Sequence, residues 1–342
     1  MMIRKVLFVV LSLLLIMVIW NWSLIRYGVS QGWGQLKIVW QAKPLETYLN
    51  DSEFPDSLKS KIRLVGEIRQ FAIDSLGLSD TDNYQTMFDQ KGEELMWVIT
   101  ACEPFRIVPK TWSFPIVGEV PYKGYFVKDR ALLEREQLMK EGWDVNISNP
   151  GGWSTLGWFN DPILSGMLQR SEGDLASLVI HEMVHSTLFV KDSVEFNENL
   201  ASFIGDTSAY RFLINKYGLE SDEFSLYSKE EHDYKKYVAH MLRGLNALEK
   251  SYQEIENDPD EMKRSKKEMA IRKIVENMDT LSLSTIRNPS KRFSKQLPNN
   301  AYFVSFRRYQ SKQGIFKSEL DKKFKGDVVK YIEFLKQQYP TL

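Results

Sequence analysis

The sequence predicts an α+β fold in which a strand-rich part precedes a mainly helical part, with a membrane-spanning helix ahead of both. Three observations support this prediction. An apolar run opens the chain, β-branched and aromatic residues punctuated by prolines fill residues 84–125, and helical periodicity dominates the second half. Strands followed by helices are typical of α+β domains, whereas parallel α/β folds alternate the two elements.

Composition limits the class of protein and its partners. The 342 residues are 43% hydrophobic and 13% aromatic, which is enough to bury a large core. Lys and Arg number 45, as do Asp and Glu, and no long block has one sign, so we expect no nucleic-acid partner. The single cysteine, Cys102, excludes intrachain disulfides and a cysteine-rich zinc site. The apolar residues before Cys102 predict a buried strand.

The N-terminal residues resemble a membrane anchor. Arg4 and Lys5 precede an apolar run from Val6 to Ile25, and 20 helical residues rise about 30 Å, the thickness of a bilayer core. Basic residues ahead of the run favour a cytoplasmic N-terminus, and no small-x-small cleavage site follows it. We therefore predict that residues 1–28 form a transmembrane signal anchor. The protein would be a single-pass cell-membrane protein with residues 29–342 on the periplasmic side, outside the cytoplasm.

Residues 29–170 are predicted to mix strands and helices. A linker is expected at Gly28, Gly32 and Gly34. A helical face follows at Leu58, Ile62, Val65, Ile68 and Phe71. Further along, we expect a helix over about Lys128–Lys140 and a strand over Trp143–Ile147.

Residues 171–342 are predicted to be mainly helical. Four breaks separate at least four long helices, at Gly218, Pro259, Pro289 and Pro298. We interpret residues 29–342 as one domain.

Residues 181–185 (HEMVH) form an HExxH motif within a segment of helical pattern. His181 and His185 are four residues apart, so they lie on one helical face and both imidazoles can reach one zinc ion. Glu182 would then lie beside the metal, where it can take a proton from bound water. The chain has only four histidines, and two unpaired polar rings on an otherwise apolar helix would be costly. A metal site is therefore the better interpretation.

A catalytic zinc ion also needs a third protein ligand and an open position for water. The metzincin extension would place Gly and His where this chain has Leu188 and Lys191. We expect a carboxylate on the following helix instead. Glu198 is the first candidate because it opens an apolar helix, and Glu195 and Asp192 are its rivals.

Residues 196–201 (FNENLA) resemble the Asn-Glu-x-(Phe/Leu)-Ala segment that follows HExxH in gluzincins, the clan containing thermolysin and the membrane alanyl aminopeptidases. In that clan the glutamate is the third zinc ligand, which implies this role for Glu198. Most of residues 30–340 resembles a bacterial family known as predicted or putative aminopeptidases. The similarity includes residues 122–126 (YKGYF), residues 153–162 (WSTLGWFNDP), the HExxH helix and residues 299–301 (NNA). It implies a zincin-like, gluzincin-type catalytic domain with a helical C-terminal part.

The chain departs from the gluzincin pattern around the ligands. Only 12 residues separate His185 from Glu198, so the connection must be a short turn. Ser202 occupies the position where thermolysin-like enzymes often place an acid that hydrogen-bonds a zinc histidine. Asp206, Glu195 or a backbone carbonyl could take that role instead.

Substrate-binding groups follow from the resemblance and from the chemistry. Gluzincins usually bind the substrate backbone along an edge strand upstream of HExxH. This places the strand at Gly152–Phe159, with an ordinary aromatic core strand as the alternative. A zinc peptidase also needs a donor for the oxyanion of the transition state. Tyr309 is the first choice, and Tyr302 and Tyr210 are the alternatives.

The predicted function is peptide-bond hydrolysis by a zinc metallopeptidase with Glu182 as general base and a peptide or protein as substrate. Aminopeptidase activity is implied by the resemblance alone. An exopeptidase needs an acid for the substrate's free ammonium, and Glu119 and Glu195 are the candidates. The alternatives are a membrane-tethered endopeptidase and a catalytically inactive binding protein that keeps the fold. Loss of Glu182 or of a ligand would mark the inactive protein, and neither is lost.

Overall fold

The helices of this computed structural model occur along the whole described chain. The structure describes residues 4–5, 7–8, 19–114, 118–150, 160–191, 193–310 and 312–339, and for residues 308–310 it describes the backbone alone. The α-helices are α1 (Trp22–Gln41), α2 (Leu45–Leu49), α3 (Asp56–Leu76), α4 (Lys128–Lys140), α5 (Glu172–Thr187), α6 (Val194–Tyr217), α7 (Asp222–Glu254), α8 (Asp260–Glu276), α9 (Asn300–Gln310), α10 (Gln313–Phe324) and α11 (Val328–Gln338). Short 3-10 helices lie at Ser165–Gln169, Asn277–Thr280 and Pro289–Phe293.

The strands form small, separate sheets. They are β1 (Lys43–Pro44), β2 (Thr86–Phe88), β3 (Trp97–Cys102), β4 (Trp112–Phe114), β5 (Gly118–Val120), β6 (Lys123–Tyr125), β7 (Asp144–Ser148) and β8 (Ile163–Leu164). The sheet orders are β1-β2-β8, β6-β3-β7 and the pair β4-β5. In the second sheet β3 pairs antiparallel with β7, from Val98 opposite Ser148 to Cys102 opposite Asp144.

This architecture corrects the predicted fold class. Helices dominate the described residues and no sheet among them exceeds three strands, so the α+β, zincin-like domain with a strand-rich first part is wrong as an overall description. Between β3 and β6 the described strands are only three residues long, and Pro109 pairs with Cys102 in an isolated bridge. Individual elements are confirmed, including the helix Lys128–Lys140 and a buried strand that ends at Cys102.

The predicted membrane anchor is also corrected. Among the described residues, no helix combines the length and apolar character needed to cross a membrane, which contradicts the transmembrane helix and the single-pass localisation. Val6 and residues 9–18 of the apolar run lie outside the described part of the chain. The glycines expected to form a linker lie inside α1. A Cβ at Gly34 would overlap the Phe126 ring, so this glycine permits close packing.

The core consists of three hydrophobic clusters. The largest joins α3, α5, α6, α10 and α11 with the short strands β2 and β8. It includes the expected face of α3, where Ile62, Val65 and Ile68 are fully buried. The second cluster joins α7, α8 and α9, and the third packs α4 against the sheet β6-β3-β7. Helix α5 is therefore held against α3, α6 and α7.

Candidate metal centre

Helix α5 carries the HEMVH segment. Its N-cap is Ser171, whose hydroxyl oxygen accepts a hydrogen bond from the Asp174 backbone N–H at 3.2 Å. Glu172 and Asp174 place negative charge in the first turn, where it interacts favourably with the helix dipole. The buried apolar positions of α5 are Leu175, Ala176, Val179, Ile180, Met183 and Val184. Burial of these side chains fixes the rotation of the helix and thus the face that presents His181.

Asn197 closes the turn that joins α5 to α6. Its side-chain oxygen accepts from the Val190 N–H at 2.9 Å, and its side-chain nitrogen donates to the Val190 carbonyl at 2.8 Å. Asn199 donates to the Glu195 carbonyl at 2.8 Å and also accepts a backbone N–H. Both asparagines are buried. They fix the first turns of α6 and therefore the position of Glu198 between them.

Helices α5 and α6 approach each other closely at Gly205. A Cβ at this position would lie 2.7 Å from the Ser177 carbonyl oxygen and 3.3 Å from the Cβ of His181. Glycine is the residue that leaves room for the backbone of the neighbouring helix here. The close approach keeps Glu198 within reach of both histidines.

The structure brings His181, His185 and Glu198 together. The two histidine Nε2 atoms are 3.1 Å apart, and the Glu198 Oε2 lies 3.4 Å from that of His181 and 3.7 Å from that of His185. A tetrahedral zinc ion with bonds of about 2.0–2.1 Å separates its ligand atoms by roughly 3.3–3.4 Å. The donor set therefore fits zinc in both chemistry and spacing. Within the described residues, no other group of His, Cys, Asp and Glu side chains has this metal-binding proximity.

The electrostatics of the group keep Glu198 ionised. Burial raises the pKa of Glu198, but hydrogen bonds from His181 and His185 outweigh burial and hold that pKa well below its ordinary value. Burial lowers the pKa of His181, whereas its hydrogen bond to Glu198 and the charges of Glu182 and Glu198 raise it, with a net upward shift. Glu198 is therefore an anion that faces two imidazoles.

Glu182 lies next to the ligands but is not one of the three converging groups. Burial raises its pKa, the charges of His181 and His185 lower it in part, and the net shift is upward. A carboxyl group with a raised pKa is better matched to accepting and then returning a proton near neutral pH. The residue as a whole is half-buried.

A buried cluster covers the face of α5 that carries Glu182. Asn83 donates to the Ser186 hydroxyl at 3.1 Å and accepts from the Asp161 N–H at 2.8 Å. The Tyr84 N–H donates to the Asp161 carbonyl at 2.7 Å, and the φ of Tyr84 is 64°, which is uncommon for an aromatic residue. Burial and then the charges of Glu182 and Asp161 raise the pKa of Tyr84 well above its ordinary value. Sequence reasoning missed this cluster, since neither Asn83 nor Tyr84 belongs to a recognisable motif.

Ser202 is the residue that contacts the second nitrogen of a ligand. Its Oγ lies 3.4 Å from Nδ1 of His181. Asp206, which the sequence offered for this role, instead accepts a hydrogen bond from the Ser177 hydroxyl at 2.7 Å. The Nδ1 of His185 is buried and makes no hydrogen bond with the described residues. In the sequence, the only signal at position 202 is a serine where thermolysin-like enzymes often have an acidic residue.

Of the two rival ligands, the structure describes only Glu195. The Glu195 carboxylate is 3.3 Å from the Lys312 Nζ and does not belong to the converging group. Asp192 lies outside the described residues.

The structure describes the side chains of three other predicted site residues, and none of them belongs to the converging group. The hydroxyl of Tyr302 pairs with another tyrosine hydroxyl at 2.8 Å in the second hydrophobic cluster, and Tyr210 packs against aromatic rings of α7. Glu119 is exposed on β5. The side chain of Tyr309 and the whole segment Gly152–Phe159 lie outside the described residues, so both remain predictions.

Similarity to known proteins agrees with this geometry. A protein family described as "Putative aminopeptidase" matches residues 26–339, which is most of the chain. The chain belongs to this family. Its membership associates the chain with peptidase activity and peptide substrates, and the match includes α5, α6 and all three converging residues. No curated protein and no solved structure shows significant similarity to this member of the family.

Proposed function

We propose that this chain is a zinc metallopeptidase of the gluzincin type that acts as an aminopeptidase. The metal would be held by His181, His185 and Glu198. The observation that carries the proposal is the convergence of their three ligand atoms, all within 4.8 Å of one another. Two imidazoles and one carboxylate are a donor set of catalytic zinc sites that keep a fourth position open for water. Family membership supports the peptidase class.

Different residues of the chain have different roles in the proposed reaction. When bound, zinc would supply Lewis acidity toward the scissile carbonyl and toward a water molecule. Glu182 directly follows the first ligand in sequence, so its carboxylate would lie beside the metal. In that position it takes the proton of the attacking water and delivers it to the leaving amine. Ser202 orients the His181 ring through Nδ1. Tyr309 is the proposed donor to the oxyanion on sequence grounds.

Zinc content and a peptide panel test the proposal. Purified protein is expected to hold one zinc per chain, and His185→Ala is expected to lose it. His240→Ala is the matched control because the Nε2 of His240 lies 2.8 Å from the Ile274 carbonyl, away from the ligands. Peptides with a free N-terminus should be hydrolysed and their acetylated counterparts should not. Cleavage of both would indicate an endopeptidase, and zinc binding without any hydrolysis would indicate an inactive binding protein.

A further inference from the structure

A cavity of about 820 Å³ adjoins the metal centre. Helices α5, α6 and α7 form three of its walls, and residues from the segment 285–292 form the fourth. Of the three proposed ligands His181 lines the cavity, and so does Ser202, which contacts the Nδ1 of His181. Its size is sufficient for a substrate side chain.

The buried Glu231 and the half-buried Asp206 line this cavity, and the described residues provide little positive charge to balance them. Asp206 accepts a hydrogen bond from the neutral Ser177 hydroxyl, and Glu231 pairs with Lys235 at 3.2 Å. The Lys235 side chain is 58% exposed, so solvent screens that pair. Burial and then the charge of Asp206 raise the pKa of Glu231 to about 7. Crowded carboxylates of this kind favour the arrival of a cation.

Tyr227 adds an unsatisfied polar group to the same lining. The residue is only 2% exposed, and its hydroxyl lies near the Ser177 hydroxyl but makes no hydrogen bond of normal geometry with the described residues. A buried hydroxyl without a partner is unfavourable. A ligand that carries N–H groups would satisfy the hydroxyl and compensate the carboxylates together.

The basic residues that line the cavity are less buried than its carboxylates or are already paired with an acid. Arg170 is neutralised by Asp174, with 2.6 Å between the charged atoms. Arg292 is exposed, lies over the rings of Tyr237 and Phe293, and donates to the Tyr237 hydroxyl. Arg287 is exposed on the segment 285–292. Positive charge is therefore paired or faces solvent, and the buried charge is negative.

We infer that the cavity is a specificity pocket for a lysine or arginine side chain on the substrate residue that provides the scissile carbonyl. The inference rests on the proposed peptidase function. Ser177, which donates to Asp206, is one helical turn from His181, a rise of about 6 Å for four residues. This distance suits the terminal ammonium of a long side chain. The α-ammonium of the substrate cannot span it, because it lies only two bonds from the carbonyl carbon. The aromatic walls accept its methylene stem and attract its charge.

Paired substrates test the pocket directly. Peptides that differ only in N-terminal lysine or norleucine share the aliphatic stem, and only lysine has the ammonium. We expect kcat/KM to be about 10–100-fold higher for lysine, the range of a hydrogen-bonded charge. Glu231→Gln and, as an independent variant, Asp206→Asn should move this ratio toward one. Glu249→Gln is the control, because Glu249 pairs with Arg307 at 2.9 Å outside the cavity lining, and should leave the ratio unchanged.

The outcomes separate the pocket from the peptidase function. Hydrolysis with equal kcat/KM for the two peptides would overturn the pocket and leave the proposed function standing. If no peptide is hydrolysed, calorimetric binding of lysinamide and norleucinamide still decides the matter. Tighter binding of lysinamide, weakened by Glu231→Gln, supports the pocket, and equal binding overturns it.

Discussion

The hydroxyl of Ser202 lies 3.4 Å from Nδ1 of His181, while Nε2 of the same ring faces Glu198 at 3.4 Å. Helix α6 thus contacts both nitrogens of one imidazole. A neutral hydroxyl at this position can fix the orientation of the ring without adding a second negative charge behind it. The Glu198 carboxylate then remains the dominant anion for the proposed metal.

Replacing Ser202 by Ala should weaken zinc binding about 10-fold, the lower end of the effect of losing an outer hydrogen bond to a ligand. The zinc dissociation constant can be measured by competition with a chelator. Ser208→Ala is the matched control, because Ser208 is buried on the same helix and its hydroxyl makes no hydrogen bond with the described residues. Equal zinc affinity in the two variants would show that the Ser202 hydroxyl does not support zinc binding.

Gly205→Ala should destabilise the fold by about 1–3 kcal/mol, because the added Cβ meets the Ser177 carbonyl and forces α5 and α6 apart. Denaturant unfolding measures the change in the free energy of unfolding. Gly66→Ala is a control for which we expect the opposite change in stability. Gly66 lies on the exposed face of α3 with no atom within 4 Å of the added Cβ, so this variant should gain about 0.5–1 kcal/mol. A neutral Gly205→Ala variant would contradict the close approach of the helices.

The proximity of His181 and His185 could be predicted from the sequence because four residues span about one helical turn. The short connection also limited how far Glu198 could lie from them. The hydrogen bonds of Asn197 to Val190, which position α6, could not be predicted, because their geometry depends on the turn itself. The cavity was equally inaccessible, since Asp206 and Glu231 meet only through the packing of α6 and α7.

Two predictions failed for physical reasons. β-branched and aromatic residues upstream of residue 125 suggested a strand-rich part, but β-propensity reflects partial burial in general, and much of this segment is short strands and turns. The anchor prediction rested on the apolar run from Val6 to Ile25 behind Arg4 and Lys5. The described helix from Trp22 to Gln41 contains several polar residues, and no described helix is apolar enough over its length to cross a membrane.

Asp233 should stabilise the wall of the cavity that the segment 285–292 forms. Its Oδ2 accepts from the Ser284 N–H at 2.7 Å and from the Thr285 N–H at 2.6 Å. Burial raises the pKa of Asp233, but the hydrogen bonds lower it by more than burial raises it. The folded pKa is therefore below the unfolded one. The stabilisation is therefore present above the unfolded pKa of about 4 and is lost as the pH falls through the folded pKa.

We expect Asp233→Asn to lower the free energy of unfolding at pH 7 by about 1–3 kcal/mol, the size of a hydrogen bond to a charged group. The difference from the wild type should shrink as the pH falls below about 4. Denaturation at several pH values measures both effects. Asp321→Asn removes an exposed ion pair with Lys317 and should cost less than about 1 kcal/mol. A pH-independent difference for Asp233→Asn would argue against the charged interaction.

The most direct test of the central claim compares zinc affinity and turnover in Glu182→Gln and Glu198→Gln. Glu182→Gln leaves all three proposed ligands, so zinc should stay bound while turnover falls at least about 100-fold, the low end for a general base. Glu198→Gln replaces an anionic ligand with a neutral amide, so zinc affinity itself should fall and added zinc should restore part of the activity. Wild-type zinc affinity in Glu198→Gln, with loss of zinc in Glu195→Gln, would contradict the assignment of the third ligand.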